Sequence, residues 1–145
     1  MAKLCVVLDT QLLLRGATAR SATLNRKVYQ AWVEGTFDIL VSEETLDELL
    51  RVLADPEVAA QLRITDEILI GTAALLISKA RFATVSRKIT ICRDPHDDKF
   101  LECAVAAKAD YLVSADNDLL SLEKIEGIPI VNLPTFWRAL SEHRS

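Results

Sequence analysis

Two short apolar runs in this chain end on aspartate. Residues 4–8, LCVVL, are continuous, β-prone and too short for a helix, the pattern of a central parallel strand covered on both faces. Asp9 follows at once, then Thr10 and Gln11. Tyr111, Leu112, Val113 and Ser114 repeat the pattern, with Asp116 and Asp118 directly after them. Open α/β sheets bind ligands beyond the carboxyl ends of their strands, so two strands that deliver carboxylates there mark a candidate site. Asp-rich turns also arise as plain helix caps and solvated loops, so the inference needs further carboxylates at equivalent places.

Between the two runs the apolar period changes to that of helices. Leu24, Val28, Ala31 and Trp32 predict an amphipathic helix that ends near Gly35. A second strand is expected from Phe37 to Val41. Ser42 then caps a helix with the stripe Leu46, Leu49, Leu50 and Leu53. Off that stripe stand Glu43, Glu44, Asp47 and Glu48, among which pattern alone does not choose; Asp47 and Arg51 are spaced for a surface pair. Pro56 opens a short helix through Leu62, and Thr65 caps another. Residues 12–20 read as a loop or short helix broken at Gly16, and residues 83–91 as a β-prone run. Asp97 and Asp98 stand where a helix begins, with Phe100, Leu101, Ala104 and Ala107 on its inner face. A last strand from Ile128 to Val131 and a helix from Pro134 to Leu140 close the chain. The alternation predicts an α/β fold, a single-domain three-layer sandwich around a mainly parallel central sheet.

The chain has 145 residues, long enough for a real core, and half of them are hydrophobic. A net charge of -4 gives no global pull toward nucleic acid, so any such binding rests on a local patch. The most basic stretch holds Arg81, Arg87, Lys88, Arg93 and Lys99, either a solvated face or a phosphate-holding one beside the carboxylates. Cys5, Cys92 and Cys103 lack metal-binding spacing, and Cys5 and Cys103 read as buried reduced thiols. With no signal peptide and no apolar run of membrane-spanning length, the expected location is cytoplasmic. There is no P-loop and no GxGxxG. A phosphatase of the HAD type needs a second Asp two residues after the first, where this chain has Gln11, and a receiver domain needs a Lys after its later strand.

VLDTQ, SEETLDELLRVL, RDPHDDKFLECA and LVSADNDLL, in this order, resemble a PIN domain (PilT N-terminus), and specifically the bacterial PIN-like toxin group. The resemblance spans nearly all of residues 1–145, read as a single PIN-like domain. It implies a metal-dependent ribonuclease with acidic residues meeting at the carboxyl edge of the sheet. Carried over residue by residue, the acidic positions fall on Asp9, Glu48, Asp98 and Asp116, with Asp9, Asp98 and Asp116 holding metal and Glu48 completing the shell or orienting water. Asp118 and Glu102 are outer members, Ser114 supports Asp116, and Arg93 and Lys99 are candidates for binding substrate. Gln11 departs from the family's Asn, and His96 replaces an acidic residue of the turn.

Clustered carboxylates repel one another without a cation, and Mg²⁺ or Mn²⁺ relieves that repulsion through oxygen ligands. The expected reaction is hydrolysis of an RNA phosphodiester. The resemblance further implies a toxin of a toxin–antitoxin pair, with an antitoxin protein as partner and a homodimer as its assembly. The competing reading is a non-catalytic module that holds RNA or protein, which loss of a core carboxylate would favour; none is lost.

Overall fold

The computed structural model describes residues 2–144. Along its strands successive side chains enter two different cores. On β1 (Cys5–Leu8), Val6 and Leu8 pack on one side and Val7 on the other. Ile39 and Val41 on β2 (Asp38–Val41) join the first core and Leu40 the second. On β4 (Tyr111–Val113), Val113 joins the first and Leu112 the second. This two-residue alternation makes a sheet apolar on both faces, which therefore needs helices on both.

The first core is closed by α1 (Thr10–Thr18), α2 (Leu24–Val33), α3 (Glu43–Ala54), α4 (Pro56–Leu62), α5 (Asp66–Lys79) and α8 (Leu133–Arg144). The second is closed by α6 (Asp98–Ala107) and the short α7 (Asn117–Leu120). Together they form the expected three layers. With β3 (Arg81–Phe82), β5 (Lys124–Ile125) and β6 (Ile128–Val131), the sheet order is β3-β2-β1-β4-β6-β5, and only the β5–β6 pairing is antiparallel. Among the described residues, no helix is long and apolar enough to cross a membrane.

Local chemistry sets the boundaries. Ser42 and Thr45 form a reciprocal capping box at the start of α3. Gly35 takes a φ of +83° just past α2, as the C-terminal signal predicts. Glu126 and Gly127 both have positive φ, the requirement of the tight turn that joins β5 to β6.

Two expectations fail for identifiable reasons. Gly16 does not break α1; it lies inside the helix where α2 crosses. A Cβ there would sit 2.7 Å from Tyr29 Cβ and 2.9 Å from the Asn25 carbonyl oxygen, so glycine permits the crossing. Gly16→Ala is accordingly expected to destabilise the protein by about 1–3 kcal/mol, read as a lower urea midpoint. The β-prone run of residues 83–91 forms no strand, and neither does Cys92. They follow the edge strand β3, Ile89 packs into the second core, and the amides of Ile89, Ile91 and Cys92 are taken by carboxylates of α6. Of the thiols, all free, Cys103 is buried as expected but Cys5 is half-buried.

A candidate metal centre at the carboxyl edge of the sheet

The parallel pairing of β1 with β4, in register from Leu8 to Val113, brings their two exits side by side. The Asp9 amide donates to the Val113 carbonyl at 3.1 Å and so extends the pairing one residue past the strand. Asp9 then caps α1: its Oδ1 accepts from the Leu12 amide at 2.9 Å. Its Oδ2 accepts from Ser114 Oγ at 2.6 Å and from the Ala115 amide at 3.0 Å. Ser114 Oγ in turn accepts from the Asp116 amide at 2.9 Å, and Asp116 Oδ1 from the Asp118 amide at 2.8 Å. A fully buried serine thus ties the carboxylate of one strand to the turn of the next.

The fourth contribution comes from the turn before α6. Asp94 accepts from the His96 amide and starts a 3-10 turn from Pro95 to Asp97. The turn carries Asp97 to Asp116 and Asp118, and one oxygen from each of these three carboxylates lies within 4.8 Å of the other two. Asp97 Oδ2 is buried and has no hydrogen-bond partner among the described residues. Burial pushes the Asp97 carboxyl up to about 7; its hydrogen bond to Asp116 and the charges of Asp116, Asp94 and Asp118 push the same way. An all-oxygen donor set with a buried oxygen that no donor faces suits a hard divalent cation.

A cleft of about 450 Å³ opens over this cluster, lined by Asp9, Gln11, Arg15, Glu48, Asp97 and Asp116 among others. Glu48 reaches it from α3. Its Oε1 accepts from Lys99 Nζ at 2.6 Å, and its Oε2 from the Thr10 hydroxyl. Gln11, the departure from the family's Asn, is exposed at the cleft wall, where His96 also lies. Arg15 was not picked out in the sequence: it is exposed on α1, lines the cleft, and makes no ion pair with a described residue.

Asp98, expected as a metal ligand, is not among the three clustered carboxylates. Its side chain is buried and turned away from the carboxylate cluster, with Oδ1 accepting from the amides of Ile91 at 3.2 Å and Cys92 at 2.8 Å. Burial opposes its charge, yet the Cys92 amide and thiol and the Ile91 amide together hold its carboxyl below the usual value. Glu102, one turn on, is likewise outside the cluster and accepts from the Ile89 amide at 2.9 Å. The pair forms an anchor for residues 89–92, replacing the strand partner that this stretch lacks. Asp98→Ala should therefore cost stability, about 1–3 kcal/mol by chemical denaturation, because it strands two amides. The same variant should keep its affinity for divalent ions, measured by calorimetry.

The basic stretch is mostly paired. Arg81 meets Asp38 at 3.6 Å, Arg87 meets Glu126, and Lys88 meets Glu44 at 3.4 Å. Lys99 is committed to Glu48, whereas Arg93 is exposed and makes no ion pair with a described residue.

A family profile described as PIN domain matches residues 5–118. No curated protein sequence matches the chain. Among solved structures, VapBC2 from Rickettsia felis, determined bound to a DNA fragment from its promoter, is similar with a TM-score of 0.58 at 14% identity, covering 89% of this chain and 98% of that one. VapC20 from Mycobacterium tuberculosis, a toxin that cleaves the sarcin–ricin loop, is similar with a TM-score of 0.55 at 14% identity, covering 86% and 99%. At that identity the two structures speak for the fold. The profile takes in the strand that delivers Asp9, the helix with Glu48, the Asp97 turn and the exit of β4 through Asp118, and this chain belongs to the PIN domain family.

Proposed function

We propose that the protein is a metal-dependent ribonuclease, the toxin of a toxin–antitoxin pair, with residues 1–145 working as one domain in the cytoplasm. The observation that carries this reading is the meeting of Asp97, Asp116 and Asp118, with Asp97 Oδ2 buried and undonated, at the carboxyl edge of a PIN-family sheet. Mg²⁺ or Mn²⁺ is the ion such oxygens favour. In this assignment Asp97 takes the place that the sequence resemblance gave to Asp98, and Asp118 moves from an outer to an inner position. Asp9 lies behind Asp116 and holds it through Ser114.

When bound, a divalent cation supplies Lewis acidity and an activated water for in-line displacement at phosphorus. The remaining work falls to the chain. Arg15 is placed to take a phosphate oxygen of the strand lying in the cleft, and its planar guanidinium suits two oxygens at once. Arg93, one residue before the Asp94 turn, offers a second cation on the approach. Gln11 presents an amide at the wall, able to donate to a ribose or base. VapC20 is a toxin that cleaves the sarcin–ricin loop, and the VapBC2 structure is of a complex with promoter DNA, which supports an RNA substrate and a cognate antitoxin here. Exposed Ile70 and Ile77 on α5 offer apolar area for that partner or for a homodimer.

The test is cleavage of purified total RNA with Mn²⁺ and after chelation. Discrete ion-dependent fragments support the reading. RNA that stays whole at saturating ion, while the protein still retains it on a filter, would instead make the domain a binding module.

A further inference from the structure

Lys99 carries its charge close to the carboxylate cluster, yet it does not line the cleft. The walls of that cleft include Thr10, Arg15 and Glu48, whereas Lys99 borders a separate hollow with Glu44, Lys88 and Glu102. Glu48 thus stands between the Lys99 ammonium and the space above the cluster. The contact is close and shielded: Lys99 Nζ donates to Glu48 Oε1 at 2.6 Å, with Lys99 13% exposed and Glu48 22%. The other oxygen, Oε2, accepts from the hydroxyl of Thr10, which is buried. A carboxylate has about four lone-pair directions, so these two donors leave it free to accept or ligate on the cleft side. Thr10 directly follows Asp9, and Lys99 comes just after Asp97 and Asp98. Glu48 is therefore the hub of a brace that joins the starts of α1 and α6 to the middle of α3.

We propose that Lys99 is a positioning residue: through Glu48 it fixes the turn before α6 against α3 and α1, and it makes no contact with RNA. The inference rests on the nuclease reading above and deepens it. To reach a phosphate the ammonium would have to part from Glu48. That would leave a largely shielded carboxylate without its counter-charge, which is strongly unfavourable. Arg15 and Arg93, exposed and without ion pairs to described residues, meet no such cost. What the brace supplies is geometry. The acidic groups come from elements far apart in the chain, and a displacement of about 1 Å at a reacting centre can cost about a hundredfold in rate. A fixed ammonium behind Glu48 also offsets part of the repulsion among neighbouring carboxylates.

The experiment compares wild type, Lys99→Met and Arg15→Met in two assays. One is filter retention of a single-stranded oligoribonucleotide in chelator, over a range of salt. The other is cleavage, with Mn²⁺, of an RNA fragment that wild type cuts, with kcat expressed per RNA-retaining chain so that unfolded protein is not counted. Lys99→Met should hold the oligoribonucleotide within about twofold of wild type and with the same salt dependence, whereas its kcat falls about 10–100-fold at unchanged KM. Arg15→Met should instead weaken retention and flatten the logarithmic salt slope by about 0.7, the share of one phosphate contact on a single strand. The same flattening in Lys99→Met makes Lys99 a substrate ligand and overturns the proposal, as does a kcat within about threefold of wild type. If Lys99→Met does not fold, Lys99→Met/Glu48→Gln decides, since it replaces a neutral pair by a neutral pair. Its retention and slope should match wild type, and a flattened slope overturns the proposal there too. Wild type that cleaves no RNA refutes the nuclease reading itself, an outcome distinct from altered retention, which is read without ion.

Discussion

Asp97→Asn should lose divalent-ion binding and RNA cleavage by at least about a hundredfold, while Asp98→Asn keeps both within a few fold. Removing even an outer partner of a metal ligand costs affinity toward that level, and here the group removed is the one whose buried oxygen lacks a donor. The neighbouring position behaves otherwise because Asp98 spends its carboxylate on the amides of Ile91 and Cys92, and asparagine keeps an acceptor for them. A second signature separates loss of a ligand from loss of the fold. With chelator present, Asp97→Asn should be more stable than wild type, since it removes one of the crowded carboxylates. With Mn²⁺ present the order should reverse, because only wild type gains stability by binding an ion. Thermal denaturation of both proteins in the two buffers reads this directly. If Asp98→Asn loses the ion and Asp97→Asn retains it, the assignment in the turn is the wrong way round.

That pair of adjacent aspartates marks the limit of what the residues disclose. The strands were legible because short apolar runs ending on aspartate have few alternative fates, and the sheet follows from their alternation with helices. Ser42, Thr65 and Gly35 announced helix ends through capping chemistry that is local. Asp97 and Asp98 were not separable that way. Both suit a helix start, and the difference lies in a 3-10 turn that rotates one toward Asp116 and the other toward the amides of residues 91 and 92. Those amides need a partner only because residues 83–91 fail to form the strand that their β-prone sequence suggested. Glu102 takes the Ile89 amide for the same reason. Arg15 and the Lys99–Glu48 pair depend on contacts between elements far apart in the chain, which no local pattern reports. Gly16 shows the converse: a residue that breaks helices by propensity is retained inside one because a neighbouring helix leaves no room for a Cβ.

Ion affinity should rise steeply with pH up to neutrality, by about fiftyfold between pH 5 and pH 7, and level off above. The carboxyl of Asp97 is raised to about 7, first by burial and then by Asp116, so below that value a proton occupies the oxygen the ion requires. The sign for stability follows from linkage. A carboxyl raised in the folded state binds protons more tightly there than in the unfolded chain. Its contribution is complete below about pH 4, the ordinary carboxylate range, and is lost as pH rises through 7. Asp98, held low, acts oppositely: its contribution is present above that range and lost as pH falls through its folded value. In chelator, these two groups together favour the fold between the two limits and weaken it toward pH 8. Saturating Mn²⁺ should abolish the decline on the alkaline side, because the ion takes over the neutralising role of the proton. Urea midpoints from pH 5 to 8, with chelator and with Mn²⁺, measure both curves. An alkaline decline that persists with the ion bound, or an affinity indifferent to pH, would mean that the proton and the metal do not compete for the same oxygens.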